Sequence, residues 1–364
     1  MSKLTRIFFY SILRLLSFVL VLQPVQAQQK ENLHREISRI LKNEDPVDFS
    51  IVPSVVILTW DGGFMVVDTF GQQIPEHDGH DYFEWGGLTQ PIVAYLVESI
   101  LETYHLTPDS FLFSHMPNHL QDPKWKSITY RQMLEHRAGL PAFPAAMGSI
   151  EKDVQDPYRD FDLAALKNEM QEVNPKAGEF NYSNLGYAFL YWLFEPMQGY
   201  QDYAEYFLSN MNGGEMEFSF ECNETCLTPG HGLNGKPAKP WYTNALQPAL
   251  GLEGSLTGLY NFIQLWHKEY MDEIPSLPAL KKALKENAKA KSYLMYHGWF
   301  AVKSRKSVLL YHTGHTGGHQ VSAAFLPKEN KGVLIFSNGE AGSHDLCFSI
   351  LTMLQRAKQK KNGR

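Results

Sequence analysis

Cysteine is nearly missing, with three in 364 residues. A four-cysteine structural zinc site is therefore excluded. Cys222 and Cys226 stand close enough to bridge a small loop in an oxidising compartment, or remain two separate thiols. Cys347 falls within an apolar helical pattern with Leu346, Phe348, Ile350, Leu351 and Leu354, which makes it a core residue. Long runs of like charge are missing too. The net charge of −6 is spread along the chain, a distribution that does not suggest a nucleic-acid partner. No internal repeat or low-complexity segment is evident.

One long apolar run exists, from Ile7 to Leu22, and Arg14 interrupts it. Lys3 and Arg6 precede it, and Val25-Gln26-Ala27 comes after it. This is the layout of a secretory signal with a small-residue cleavage site over residues 1–27. It predicts a periplasmic or secreted protein with no stable membrane span after signal removal and without a lipid-anchoring cysteine, the alternative being that the segment is retained as an anchor. With 44% hydrophobic residues, the chain has ample material for a large core.

The chain is organised around Tyr82-Phe83-Glu84-Trp85-Gly86-Gly87-Leu88-Thr89-Gln90-Pro91. Two glycines permit a tight turn and close backbone approach. Pro91 suits a first helical turn, and Ile92, Val93, Leu96, Val97, Ile100 and Leu101 continue as a helical stripe to about Thr103. Around it, residues 29–43 carry an amphipathic helical pattern. Residues 54–60 and 64–68 read as two strands joined at Asp61-Gly62-Gly63, with a polar loop over 71–81. Thr129 is a helix N-cap, with Gly139 and Pro141 as the stop. Residues 145–285 are mostly helical patterns, irregular over 211–244, and a helix carries Leu259, Phe262, Ile263 and Leu265. Residues 297–303, 308–312, 320–326 and 332–337 read as antiparallel strands, and a closing helix covers about 344–358. Strands at both termini with helices between them predict an α+β fold. Its sheet lobe is built from about 45–80 and 290–364, and its helical lobe from about 83–285.

Three stretches together resemble the serine β-lactamase and penicillin-binding-protein superfamily, in its class C-like branch. Phe83, Glu84, Gly86 and Thr89 match the start of that family's active-site helix, commonly Phe-Glu-Ile-Gly-Ser-Val-Thr-Lys. Tyr182-Ser183-Asn184 matches its Tyr-x-Asn motif, and His312-Thr313-Gly314 its third motif, Lys-Thr-Gly or His-x-Gly. Ile128 to Pro141 is similar to another run frequent in the family. The resemblance spans roughly residues 50–340. It implies a β-lactamase/DD-peptidase-like fold, an antiparallel sheet flanked by helices, in one domain over residues 28–364.

The chemical pair is missing from the motif. Gly87 stands where the family has its nucleophilic Ser, and Gln90 where it has the Lys that helps take the proton. The family's Ser occupies an ordinary helix start, so a serine at 87 is expected to be free of the strain of a positive φ. The resemblance implies that Tyr182 lies near the nucleophile position and that Asn184 binds a substrate amide. It places His312 on an edge strand facing them. The amides of Gly87 and His315 would form an oxyanion hole that survives loss of a side chain. The leading expectation is a non-catalytic homologue without a cofactor, binding a peptide, a cell-wall fragment or a protein partner in the old cleft.

Two other readings stay open. One is an active hydrolase with substituted chemistry around Tyr182 and His312. The other is a metal site from His312, His315 and His319, with His77 or His80. Against the metal, His312 and His315 should face opposite sides of a strand. Among other nucleophiles, Thr89 should point away from the cleft. Ser183 has no base beside it and doubles as a helix-cap candidate with Asn184. Tyr182, with an ordinary pKa of about 10, stays protonated without a cation nearby.

Overall fold

The computed structural model describes residues 27–71, 79–145, 156–193, 217–220, 227–286, 293–339 and 343–362. Residues 1–26 of the signal segment, His77, Cys222 and Cys226 lie outside the described residues. No helix among those described is long and apolar enough to cross a membrane. Contacts divide the chain into a unit ending at Pro46 and a unit Val47–Arg364. The first contributes helix α1 over residues 27–43, extending the expected amphipathic segment by two residues.

In the second unit, β1 (Ser54–Asp61) and β2 (Phe64–Gly71) form a hairpin. Its two-residue turn has Gly62 at φ +67°, the positive value such turns need. A short strand β3 (Phe83–Glu84) leads through a 3₁₀ turn, Gly86–Leu88, into α2 (Thr89–Thr103). Helices α3 (Tyr130–Leu134), α4 (Leu163–Glu172) and α5 (Asn184–Leu193) come next. Then come β4 (Phe218–Ser219), α6 (Gln247–Leu250), β5 (Glu253–Gly254), α7 (Leu256–Tyr270) and α8 (Leu277–Glu286). The chain closes with β6 (Tyr293–Tyr296), β7 (Trp299–Lys303), β8 (Val308–His315), β9 (Gln320–Leu326), β10 (Lys331–Ser337) and α9 (Ser343–Asn362).

The seven-stranded antiparallel sheet runs β2-β1-β10-β9-β8-β7-β6. The hairpin from the start of the unit thus joins strands from its end, as the α+β reading requires. Strand β8 lies between β7 and β9, so the His312 strand is internal and not an edge strand. The reason is β6, which the sequence pattern does not separate from β7. His297 (φ +46°) and Gly298 (φ +80°) form the turn between them, and Tyr296 pairs Trp299. His297 therefore belongs to a turn and not to a strand. A second small sheet, β3-β5-β4, comes from the middle of the chain. Two-residue strands carry too short a pattern to be read from sequence. Helix α3 keeps its predicted cap, with Thr129 and Gln132 forming a reciprocal capping box. It stops at Leu134, before Gly139, because the next residues leave helical geometry and His136 takes φ +56°.

Helix α2 is buried on nearly every side. Val93, Leu96, Val97, Ile100 and Leu101 enter a core shared with α3 and α5, whereas Ile92 and Tyr95 enter a second core under the sheet with α7. A helix apolar all round belongs between two layers. Helix α9 packs on β9 and β10, and Cys347 is buried there with its Sγ donating to the Val333 carbonyl. Burial pushes that thiol well above its ordinary pKa, as suits an inert core residue.

Strand β8 crosses the 3₁₀ turn closely enough to demand glycine on both sides. A Cβ at Gly314 would lie 1.7 Å from the Trp85 carbonyl oxygen, and one at Gly86 would lie 2.6 Å from the His315 amide nitrogen. Gly86 also adopts φ +49°. Both obstructing groups are backbone and cannot rotate aside. Gly314→Ala should therefore cost more than about 3 kcal/mol, beyond the usual penalty for overpacking. Chemical denaturation of the variant beside the parent measures this, and an unchanged midpoint would refute the crossing.

Candidate functional site

Position 87 is the geometric centre of the predicted site. A Cβ there would meet Tyr182 Oη at 2.9 Å, the Thr313 carbonyl oxygen at 3.1 Å and His312 Cε1 at 3.7 Å. A side chain at 87 would thus enter the space between Tyr182 and strand β8. The three motifs come together here. Gly87 does not have positive φ, so its backbone is open to any residue. The crowding is steric instead: the Tyr182 hydroxyl occupies the room a side chain would need. The expectation that a serine here would meet no positive-φ strain holds; what the sequence did not show is the side-chain crowding.

Gln90 lies in the first turn of α2 and is fully buried. Its Nε2 donates to Asn184 Oδ1 at 2.9 Å. The Asn184 acceptor is thus engaged by Gln90. The Gln90 amide also reaches Tyr182, where it opposes the dominant effect on that phenol: burial drives the Tyr182 pKa well above its ordinary value. The hydroxyl stays protonated more firmly than sequence alone implies. Gln90 Oε1 is a buried acceptor with no hydrogen-bond partner among the described residues, a cost of about 1–3 kcal/mol.

The other nucleophile candidates are engaged elsewhere. Thr89 Oγ1 accepts from the Leu252 amide at 3.1 Å, turned away from the cleft as expected. Ser183 is the N-cap of α5: its Oγ accepts from the Gly186 amide at 3.0 Å and donates to the Pro141 carbonyl at 2.6 Å. Asn184 is the first helical residue, and its amide donates to the Ala142 carbonyl.

On β8, His312 is buried, Thr313 half-buried, Gly314 buried and His315 exposed, so the two histidines do face opposite ways. The His312 Nδ1 accepts from the Thr313 amide at 2.9 Å. His319 Nδ1 lies 2.9 Å from Glu84 Oε2 and its Nε2 lies 2.8 Å from the Thr228 carbonyl oxygen. Both nitrogens are thereby occupied. His80 faces Glu217 at 2.6 Å. The described histidines of the metal reading thus do not converge on one point.

Residues not singled out by the sequence also shape the site. The His136 ring lies 4.4 Å from the Tyr182 ring, centroid to centroid, and its Nδ1 accepts from the Ser183 amide at 3.0 Å. Phe300 stacks on the other side of Tyr182 at 6.1 Å. Trp241 stands edge-on to His315, with Tyr158 and Phe143 continuing an aromatic flank. These contacts cross large sequence separations, and periodicity carries no signal for them.

Residues 47–219 match the Beta-lactamase family model. A class C β-lactamase in complex with cefoxitin superposes with TM-score 0.68 at 16% identity, over 90% of this chain and 99% of that one. A β-lactamase/D-alanine carboxypeptidase from Pseudomonas syringae gives TM-score 0.68 at 15% identity, over 89% and 99%. D-alanine carboxypeptidase AmpC from Burkholderia cenocepacia gives 0.66 at 19%, over 90% and 99%. At such identities the likeness is one of fold. A protein of Dichelobacter nodosus named for fimbrial assembly (FimD, serogroup D) is 30% identical over 127 residues. That match covers 34% of this chain, and the chain spans 32% of that relative's length.

His136 gives a pH test of the packing beneath Tyr182. Burial first, then the nearby His312, lowers its pKa from 6.5 to about 3. The unfolded chain takes up this proton below about pH 6.5, whereas the folded chain refuses it until about pH 3. Stability is therefore lost as pH falls through that window. His136→Asn keeps an acceptor for the Ser183 amide and tolerates positive φ. Its denaturation midpoint should fall less steeply across the window than the parent's, and parallel pH profiles would count against a neutral buried ring.

Proposed function

We propose, from the premise that this chain belongs to the serine β-lactamase and penicillin-binding-protein-like superfamily, that it is an exported, non-catalytic member whose cleft binds a peptide, a cell-wall fragment or a protein partner. The observation that carries this reading is position 87. It has no side chain, and the Tyr182 hydroxyl sits 2.9 Å from where a Cβ would be. Acyl transfer by the family route needs an oxygen nucleophile there and a base to take its proton. Gln90 is a neutral amide, Tyr182 holds its proton, and Ser183 and Thr89 are tied to backbone groups.

The polar framework of the cleft supports binding. The turn carrying the Gly87 amide lies directly against the His315 backbone, and backbone donors of this kind suit a carbonyl or carboxylate oxygen. The aromatic flank of Trp241, Tyr158 and Phe143 offers apolar surface beside these groups. Donors and an apolar wall fit a peptide-like ligand. Export rests on the secretory pattern of residues 1–27.

Labelling tests the reading. The purified protein should keep its mass after incubation with a penicillin or a fluorophosphonate, and should not turn over a chromogenic β-lactam or a p-nitrophenyl ester, with or without chelator. A stoichiometric adduct on Tyr182, Ser183 or residues 82–90 would overturn it in favour of substituted hydrolytic chemistry. Loss of any turnover on chelation would favour the metal instead.

The converse experiment restores both residues. Gly87→Ser alone should push Tyr182 aside and give no acylation, because no base is present. Gly87→Ser with Gln90→Lys retains a donor for Asn184 and places a cation near Tyr182, which lowers the phenol's pKa. The double variant should show slow acylation by an activated ester, read as a mass increase. A folded double variant without it would show that the cleft has drifted beyond these two residues.

A further inference from the structure

A cavity of about 510 Å³ touches the site just described only through Tyr182. It lies among α3, residues 180–182, the edge strand β6 and the His297 turn, and its volume falls in the range of small-molecule sites. Gly87, Gln90, Asn184 and His312 are not among its walls. Phe180, Tyr293, Met295 and Tyr296 supply the apolar lining, with Phe180 and Tyr293 edge to face at 5.3 Å.

The charges in the lining sort into two groups. Arg131 is spent on Asp109, with bonds of 2.7 and 2.9 Å from two guanidinium nitrogens. His297 is spent between Glu98 at 2.7 Å and Glu273 at 3.2 Å. Burial lowers the His297 pKa, but these two carboxylates outweigh burial and raise it, so the three groups form a closed set. Arg137 and Glu135 are left, although Arg131 also comes within 3.9 Å of Glu135 without a hydrogen bond. Arg137 and Glu135 approach each other only to 3.8 Å, beyond hydrogen-bond reach, and both side chains are partly exposed. Arg137 makes no side-chain hydrogen bond among the described residues. A cation and an anion thus stand side by side at an aromatic cavity, each able to accept a better partner.

We propose that this cavity binds a free α-amino acid with an apolar side chain, its carboxylate on Arg137, its ammonium on Glu135 and its side chain among Phe180, Tyr293 and Tyr296. An arginine fork matches a carboxylate with two parallel bonds, and the new charge-assisted bonds improve on long approaches of 3.8 and 3.9 Å. A purely anionic ligand would leave Glu135 facing like charge, and a purely cationic one would do the same to Arg137. The zwitterion satisfies both. This site is independent of the reading of the cleft at Gly87.

Calorimetric titration of the purified chain tests it with L- and D-phenylalanine, phenylalaninamide and N-acetylphenylalanine. One or both enantiomers should bind at one per chain. The amide, which lacks the carboxylate, and the N-acetyl compound, which lacks the ammonium, should bind at least about ten-fold more weakly. Arg137→Gln should erase the preference for phenylalanine over its amide. Glu135→Gln should erase the preference over the N-acetyl compound. No heat from either enantiomer, or equal binding of all the compounds to the parent, would overturn the proposal. So would a variant that melts like the parent and keeps the parent's discrimination. The series on the parent decides the matter even where a variant fails to fold.

Discussion

The close crossing of β8 over the Gly86–Leu88 turn is the constraint on which the rest depends. Two backbone segments meet where no Cβ can stand, since one at Gly314 would lie 1.7 Å from the Trp85 carbonyl oxygen. The crossing sets the turn against the His315 backbone and aims position 87 at Tyr182 and His312. Its glycines therefore do different work from Gly87. Gly86 and Gly314 are required by contact with backbone. Gly87 faces the Tyr182 hydroxyl and, less closely, the Thr313 carbonyl, and its φ is open to other residues.

A buried carboxylate secures that crossing from one side. Glu84 accepts from the Trp241 amide at 2.7 Å, from Thr316 Oγ1 at 2.9 Å and from His319 Nδ1 at 2.9 Å. It joins β3, the loop before α6 and the β8–β9 turn in one network. A buried charge so thoroughly bonded is costly to disrupt and specifies one arrangement of those segments. From the other side, α2 is locked between two apolar cores. The frame of the site is thus maintained by packing and polar bonds that owe nothing to a nucleophile.

Tyr182 divides two environments. Its hydroxyl faces Gly87 and Gln90, whereas its residue also lines the cavity bounded by Arg137 and Tyr293. His136 beneath and Phe300 beside it hold the ring. Burial keeps the phenol neutral, which suits a wall between two environments better than a proton carrier.

Much of this was legible in the chain itself. The hairpin at Gly62, the cap at Thr129, the run of α2 and the terminal strands follow from local rules of turn chemistry and periodicity. The motif frame around Gly87, Tyr182 and His312 was likewise readable, with its two substitutions. The tertiary structure alone decided which strand lies at the edge, because β6 becomes distinct only through the positive φ values of His297 and Gly298. It alone decided that Gln90 binds Asn184 and that Tyr182 fills the space at Gly87. It alone brought together the residues around the second cavity, where Arg137 and Tyr293 come from distant parts of the chain. Short-range periodicity reports which face of an element is apolar. It cannot report which distant polar groups are brought together once those faces close.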